Sequence, residues 1–326
     1  MDGELAQKTC ERYGFETFST DWREAVNSEL DLLIVATPNQ FHYDVAKAAL
    51  ENGINVFCEK PMTDSVEKSQ ELARIAKEQG VLNYVGYIYV TSPLQVFIKD
   101  LIDSGKLGKI TRVRATFDYG DKLDPEMPLN WRIAKKEVKG GALGDTCSHV
   151  LSTLQSFLGD AERVVGIQQI AMPERPVSAG STTMGNVEAD DMTDFLIQYR
   201  SGAIGSVGCT GMGGGHQPFG ISYEIQGLEG SVIVNDDSLT DAYVWFRNDK
   251  MQGFRRVNLG AYSEYCDYRM WGGYDDMMTF EFNQVFASLV HQKPYECNFE
   301  FGIKIDRILD AVQVSADTGA WVSIES

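Results

Sequence analysis

Apolar positions in the first ninety residues fall in short runs separated by helix-length stretches of mixed character. Residues 32–36 (Leu-Leu-Ile-Val-Ala) are an unbroken apolar run. That run, 54–58 and 81–85 read as strands buried on both faces. Between them, 41–50 reads as a helix ended by Asn52-Gly53. Residues 65–79 read as a second, opened by the capping-box pattern Asp64-x-x-Glu67 and closed by Gly80. Upstream, the pattern predicts a helix over 5–13 ending at Gly14, a short strand over 15–18, and a helix over 22–28 capped by Asp21. Strands alternating with helices across short connections predict a doubly wound parallel sheet of the α/β class. A ligand of such a sheet binds at the carboxyl ends of its strands. Here those ends are Thr37-Pro38-Asn39 and Glu59-Lys60-Pro61.

After Pro93 the pattern changes. A helix is expected over 94–102. Residues 110–117 then alternate Val113, Ala115 and Phe117 with Arg112, Arg114 and Thr116, as in a half-buried strand. Further strands are expected over 164–170, 192–199, 203–209, 222–226, 231–234, 243–246 and 254–257, with turn signals such as Ser201-Gly202 and Glu229-Gly230 between them. Residues 172–191, rich in Pro, Gly, Ser and Thr, read as a surface loop. Two helices, 275–290 and 303–317, close the chain. The expectation is an α+β second part built on a large, mostly antiparallel open sheet, with domains over 1–90 and 91–326.

Composition narrows the function classes. The net charge of −18 argues against nucleic acid and anionic membrane surfaces as partners. No apolar run approaches the roughly 20 residues of a membrane span. Six cysteines, at 10, 58, 147, 209, 266 and 297, have neither metal-ligand nor CxxC spacing. They read as free thiols of a cytoplasmic protein, and no metal is expected.

Four constellations can carry chemistry. Lys60, at the end of a buried parallel strand, stands at the ligand crevice, where an ammonium can hold a hydroxyl or relay a proton; otherwise it is a surface lysine. In the second, Gly140-Gly141-Ala142-Leu143-Gly144 precedes Asp145, and His149 follows four residues on. On a helix over 145–158, Asp145, His149, Ser152 and Ser156 share one face within about 60°. Asp145 and His149 are then either an acid–base pair or part of a solvated face, and the glycines let backbone approach a ligand. In the third, Gly211-Met212-Gly213-Gly214-Gly215-His216 imitates a dinucleotide turn but has His216 where the third glycine belongs and a strand pattern after it. It reads as a loop at the substrate side, with His216 either lining the pocket or a plain loop residue. Finally, Trp131-Arg132 suits either a sugar face or ordinary packing.

Taken together these motifs resemble the glucose–fructose oxidoreductase/inositol dehydrogenase (Gfo/Idh/MocA) family. The carrying residues are Val35-Ala36-Thr37-Pro38-Asn39-x-x-His42, Cys58-Glu59-Lys60-Pro61, Trp131-Arg132 and the segment from Gly140 to Asp145 and His149. The likeness continues to Thr318-Gly319-Ala320-Trp321-Val322. The stretch from Gly215-His216 to Gly227, with Gly253-Phe254-Arg255, looks most like members that oxidise inositols, anhydrosugars or pyranosides. The resemblance implies a Rossmann domain followed by a sheet domain, and transfer of a hydride between a sugar or polyol hydroxyl and NAD or NADP. It implies Lys60, Asp145 and His149 as catalytic residues. Thr37, Pro38, Asn39, His42, Glu59 and Lys60 would line the cofactor; Trp131, Arg132, Asp145, His149 and His216 would line the substrate. A homodimer or homotetramer through the second-domain sheet is expected.

Two departures from the family pattern stand out. Tyr87-Ile88-Tyr89-Val90 replaces the polar pair that commonly follows Gly86. The opening strand, the Gly-x-Gly-x-x-Gly turn and its helix are missing, so the first domain is expected to be incomplete at its start and to bind a dinucleotide weakly. Two further readings therefore stand beside the dehydrogenase: a non-catalytic sugar-binding or regulatory protein on this scaffold, and an NAD-dependent glycosidase.

Overall fold

The computed structural model describes residues 2–134, 139–214, 221–235, 240–248, 253–259 and 274–325. Its first layer is a parallel sheet, β1-β2-β3, made of Leu32–Val35, Asn55–Cys58 and Asn83–Val85. Helical crossovers join them: α3 (His42–Glu51) and α4 (Val66–Gln79) follow β1 and β2. Both helices bury one stripe, Val45, Ala46, Ala49 and Leu50 on α3 and Leu72, Ala73, Ile75 and Ala76 on α4. Upstream lie α1 (Gly3–Tyr13), which buries no residue, and α2 (Trp22–Val26).

The second layer is a nine-stranded sheet, β13-β12-β11-β10-β4-β9-β8-β5-β14. Its strands are β4 (Ile110–Asp118), β5 (Ala161–Gln169), β8 (Met192–Tyr199), β9 (Ile204–Thr210), β10 (Ser222–Gly227), β11 (Gly230–Val234), β12 (Asp241–Phe246), β13 (Arg255–Asn258) and β14 (Val322–Ser323). All neighbours are antiparallel except β4 and β9. Helices α5 (Pro93–Asp103) and α7 (Ser148–Leu158) cover one face of it. The last two helices, α8 (Tyr274–His291) and α9 (Phe299–Thr318), reach back to the parallel sheet. Phe282 of α8 meets Phe57 with ring centroids 5.0 Å apart. The Phe299 amide donates to Asn83 Oδ1 at 2.7 Å, and the Val85 amide to the Cys297 carbonyl at 2.7 Å. One continuous apolar core therefore runs through both layers.

The α/β and α+β assignments agree with this architecture; several local expectations do not. Residues 15–18 form no strand, and Phe15 and Phe18 stay exposed. The cap of α4 is Ser65, whose Oγ accepts the Lys68 amide; Asp64, expected there, instead pairs with the Lys68 ammonium at 2.8 Å. The segment 172–191 is not simply a surface loop. It holds a hairpin, β6 (Glu174–Pro176) with β7 (Met184–Asn186), and buries Arg175, Asp190 and Asp191. Arg175 is wholly buried because its guanidinium donates to the carbonyls of Lys122 and Asp124.

Candidate active site

Lys60 sits just past β2, and α7 is preceded by a π-helical turn, Leu143–Cys147, that carries Asp145. Although 85 residues apart in sequence, the two groups meet. Lys60 Nζ donates to Asp145 Oδ1 at 2.7 Å and to the Asp145 carbonyl at 2.6 Å. Arg132 Nε lies 3.9 Å from Asp145 Oδ2, on the short helix α6 (Trp131–Ala134). Burial pushes the Asp145 carboxyl up, but Lys60, with Arg132 and His149 nearby, outweighs burial and holds it well below the usual carboxylate range.

His149, one residue into α7, is 6% exposed. The middle of the predicted polar face is therefore not solvated: Ser152 is wholly buried beside His149, whereas Asp145 and Ser156 at its two ends are half-buried. The His149 ring packs edge-on against Tyr89 (centroids 5.1 Å) and stacks on Phe117 (6.1 Å). Its Nδ1 is buried without a hydrogen-bond partner. Burial and the Lys60 charge push its pKa well below the ordinary histidine value, against a smaller opposing pull from Asp145. The imidazole is therefore neutral at physiological pH, as a base requires.

These groups share one cleft of about 530 Å³ at the carboxyl ends of β1 and β2. Thr37, Asn39, His42, Glu59, Lys60, Trp131, Arg132, Asp145 and His149, all expected at the site, line it. Pro38 does not line it; it opens the turn that places Asn39. His216 lies outside the described residues. His42 is wholly buried, its Nδ1 3.0 Å from the Pro61 carbonyl and its Nε2 2.8 Å from the Thr37 carbonyl. It braces the two strand ends against each other. Glu59 Oε2 accepts the Lys60 amide at 3.2 Å, and burial raises its pKa against the pull of Lys60.

Tyr89, Phe117 and Tyr119 also line the cleft, beyond the residues that the motifs assign to it. The alternation along β4 marks Phe117 as inward-facing, which is the signal for any core residue. Among the described residues no group of His, Cys, Asp and Glu is arranged to hold a metal ion.

The glycines before Asp145 meet protein, not open space. A Cβ on Gly140 would lie 1.7 Å from the Arg132 carbonyl oxygen, and one on Gly144 1.7 Å from the Lys139 carbonyl oxygen. Gly141 has φ +67° and packs on Asp190, whose carboxylate accepts the Leu143 amide at 2.9 Å. The run lets the backbone fold tightly onto itself and so places Asp145. Gly144→Ala is expected to cost about 3 kcal/mol or more of stability, because backbone and not a flexible side chain must move. Urea unfolding measures it; a loss below about 1 kcal/mol would contradict the tight fit.

Comparison with known proteins agrees with this geometry. Residues 2–87 match a family profile described as an oxidoreductase family with an NAD-binding Rossmann fold. Residues 96–233 match the GFO/IDH/MocA C-terminal domain. The chain belongs to the Gfo/Idh/MocA oxidoreductase family. Levoglucosan dehydrogenase of Pseudarthrobacter phenanthrenivorans is 30% identical over 98% of this chain and 87% of that protein. A levoglucosan dehydrogenase structure in complex with NADH superimposes with a TM-score of 0.94 at 30% identity, over 100% of this chain and 88% of that one. An NAD-binding oxidoreductase from Klebsiella pneumoniae gives 0.92 at 31% identity, over 100% and 88%. A scyllo-inositol 2-dehydrogenase (NAD(+)) of Bacillus subtilis is 35% identical over 70% of this chain and 62% of that protein, so the Gfo/Idh/MocA relatives include dehydrogenases of sugars and polyols, and the Rossmann-type sheet with its large mixed sheet is the fold of the family.

Proposed function

We propose that this chain is an NAD(P)-dependent dehydrogenase of a sugar or polyol hydroxyl, in an inositol, an anhydrosugar or a pyranoside. The observation that carries the reading is the meeting of Lys60, Asp145 and His149 in one cleft at the carboxyl ends of the parallel strands. The relatives' activities and the complexes with NADH support it.

The chain's own residues divide the work as follows. His149, neutral and with Nδ1 sealed in the core, takes the hydroxyl proton on Nε2. Lys60 has three N–H groups, two of them directed at Asp145, and the third hydrogen-bonds the same substrate oxygen. Asp145 stays ionised, fixes Lys60 and Arg132, and offsets the proton gained by His149. Trp131, Phe117 and Tyr119 present ring surface to the C–H face of a sugar. The crevice fits a dinucleotide on its nicotinamide side: Thr37 Oγ1 is buried there without a partner. Thr37, Asn39, Glu59 and Lys60 would hold the cofactor, with Pro38 shaping the turn that places Asn39 and His42 behind them. When bound, NAD supplies the hydride acceptor.

Because the His149 pKa is lowered, its neutral form persists as pH falls. The rate of hydroxyl oxidation is therefore expected to hold through the ordinary histidine range near 6.5 and to fall only below it. A pH–rate profile checks this, and a rate already halved at the ordinary histidine value by a group lost in His149→Asn would contradict it. An initial-rate screen of levoglucosan, inositols and xylose with both nicotinamides tests the substrate class.

A second copy of the chain is proposed to cover the open face of the large sheet. Ile167 (72% exposed), Leu196 and Ile204 stand on that face. Light scattering reads the assembly, and a dimer or tetramer that Leu196→Asp dissociates is the expected result. Five described cysteines are free, four of them buried, which supports a cytoplasmic location. No helix among the described residues is long and apolar enough to cross a membrane.

A further inference from the structure

Lys60-Pro61-Met62 leads into Thr63, which is wholly buried, as are Ser69 on α4 and Asp306 on α9. Their oxygens form a chain. Asp306 Oδ2 lies 2.5 Å from Ser69 Oγ, Ser69 Oγ lies 2.6 Å from Thr63 Oγ1, and Thr63 Oγ1 lies 2.6 Å from the Ser65 carbonyl. Each contact between two oxygens needs a proton. The Thr63 and Ser69 hydroxyls supply one each, and the Ser65 carbonyl can only accept. Three contacts with two hydroxyl protons leave one contact without a hydrogen, unless the carboxyl supplies it.

One orientation gives each of the three contacts a hydrogen. The Asp306 carboxyl donates to Ser69, Ser69 donates to Thr63, and Thr63 donates to the Ser65 carbonyl. The Ser65 amide completes Thr63 by donating to its Oγ1 at 3.3 Å. With Asp306 ionised, one of the three contacts places oxygen lone pairs face to face in a dry interior. We propose that Asp306 is a positioning residue: a buried acid whose proton completes this chain, anchoring the loop that carries Lys60 to the last helix of the protein. The anchoring matters to turnover only if Lys60 acts as proposed above; the proton on Asp306 does not depend on that.

The surroundings agree. The second carboxyl oxygen, Oδ1, is buried without a partner, which costs less for an acid than for a carboxylate. Burial raises the Asp306 pKa to about 6; Lys139, Ser69 and the Thr63 amide pull it down, and Asp310 pushes it up. Cys58 on β2 and Tyr87, just after β3, face the carboxyl from the parallel sheet, and both are neutral thiol and phenol. The chain is therefore complete on the acid side of this titration and loses one contact on the alkaline side.

Infrared spectroscopy combined with hydrogen exchange tests the proposal. Wild-type protein is expected to show a protonated-carboxyl carbonyl band that fades as pH rises through about 6 and is lost in Asp306→Asn. In Asp306→Asn the side-chain amide donates to Ser69 at every pH, so exchange of the amides over 59–66 should stay slow at every pH. Asp306→Ala and Ser69→Ala should speed that exchange about tenfold, the equivalent of one hydrogen bond. The proposal is overturned if no band is lost in Asp306→Asn, if the two alanine variants exchange as wild type does, or if asparagine behaves like alanine. Unchanged turnover in Lys60→Met would overturn the active-site reading and leave the proton on Asp306 standing.

Discussion

His149→Asn is expected to lower sugar or polyol oxidation about 10²–10⁴-fold in kcat, the range for loss of a general base. Asparagine keeps roughly the shape and polarity of the ring edge but cannot take a proton near neutral pH. The protein should stay folded, since His149 Nδ1 makes no hydrogen bond that the substitution would break. Substrate KM should change far less than kcat, because the lost interaction is made in the transition state. Lys60→Met should be at least as damaging. It removes the proposed donor to the reacting oxygen, takes the ammonium away from Asp145 Oδ1 and its carbonyl, and removes the charge that helps keep His149 neutral. Steady-state kinetics of both variants measure the effect; rates near wild type would sink the catalytic assignment.

The second large effect concerns the dinucleotide. A polypeptide limited to these 326 residues is expected to bind NADH weakly, with a dissociation constant well above micromolar. Tight binding to this fold draws on backbone amides of a Gly-x-Gly-x-x-Gly turn at a helix N-terminus, cradling the pyrophosphate. No segment of the sequence has that spacing between a strand and a helix. The residues proposed to line the cofactor, Thr37, Asn39 and Lys60, lie at the ends of β1 and β2, beside Asp145 and His149. Quenching of tryptophan fluorescence on titration with NADH measures the affinity, and a micromolar constant would overturn the expectation.

Much of the fold was readable in advance, for physical reasons. Buried parallel strands such as 32–36 must be apolar on both faces, and helices such as α4 end where a glycine takes a positive φ, as Gly80 does at +67°. Residues 15–18 misled because a strand-like pattern forms no strand without a neighbour to pair with. The loop 172–191 misled because its composition concealed Arg175, whose burial depends on two carbonyls some fifty residues away.

The site was legible where topology dictates it. Lys60 follows from the rule that ligands bind at the carboxyl ends of parallel strands. Its contact with Asp145 could not be read from spacing, because only the tertiary fold brings residues 85 apart together. Tyr89, Phe117 and Tyr119 were not recognised because an aromatic lining a cleft has the same local pattern as one filling a core. Asp306 was hidden for the opposite reason: an acidic residue on an amphipathic helix reads as solvent-facing, whereas here it is wholly buried.

In the proposed reaction this cleft transfers a hydride from a sugar or polyol carbon, with His149 as the base. The direct test is deuterium transfer. The best substrate of the screen, labelled at the reacting carbon, is incubated with either nicotinamide at concentrations raised until the rate saturates, and the nucleotide is analysed by mass spectrometry. Deuterium should appear in the reduced nicotinamide with wild-type protein, and about 10²–10⁴-fold more slowly with His149→Asn. Sugar binding without deuterium transfer to either nicotinamide, or transfer at the same rate in both proteins, would contradict it.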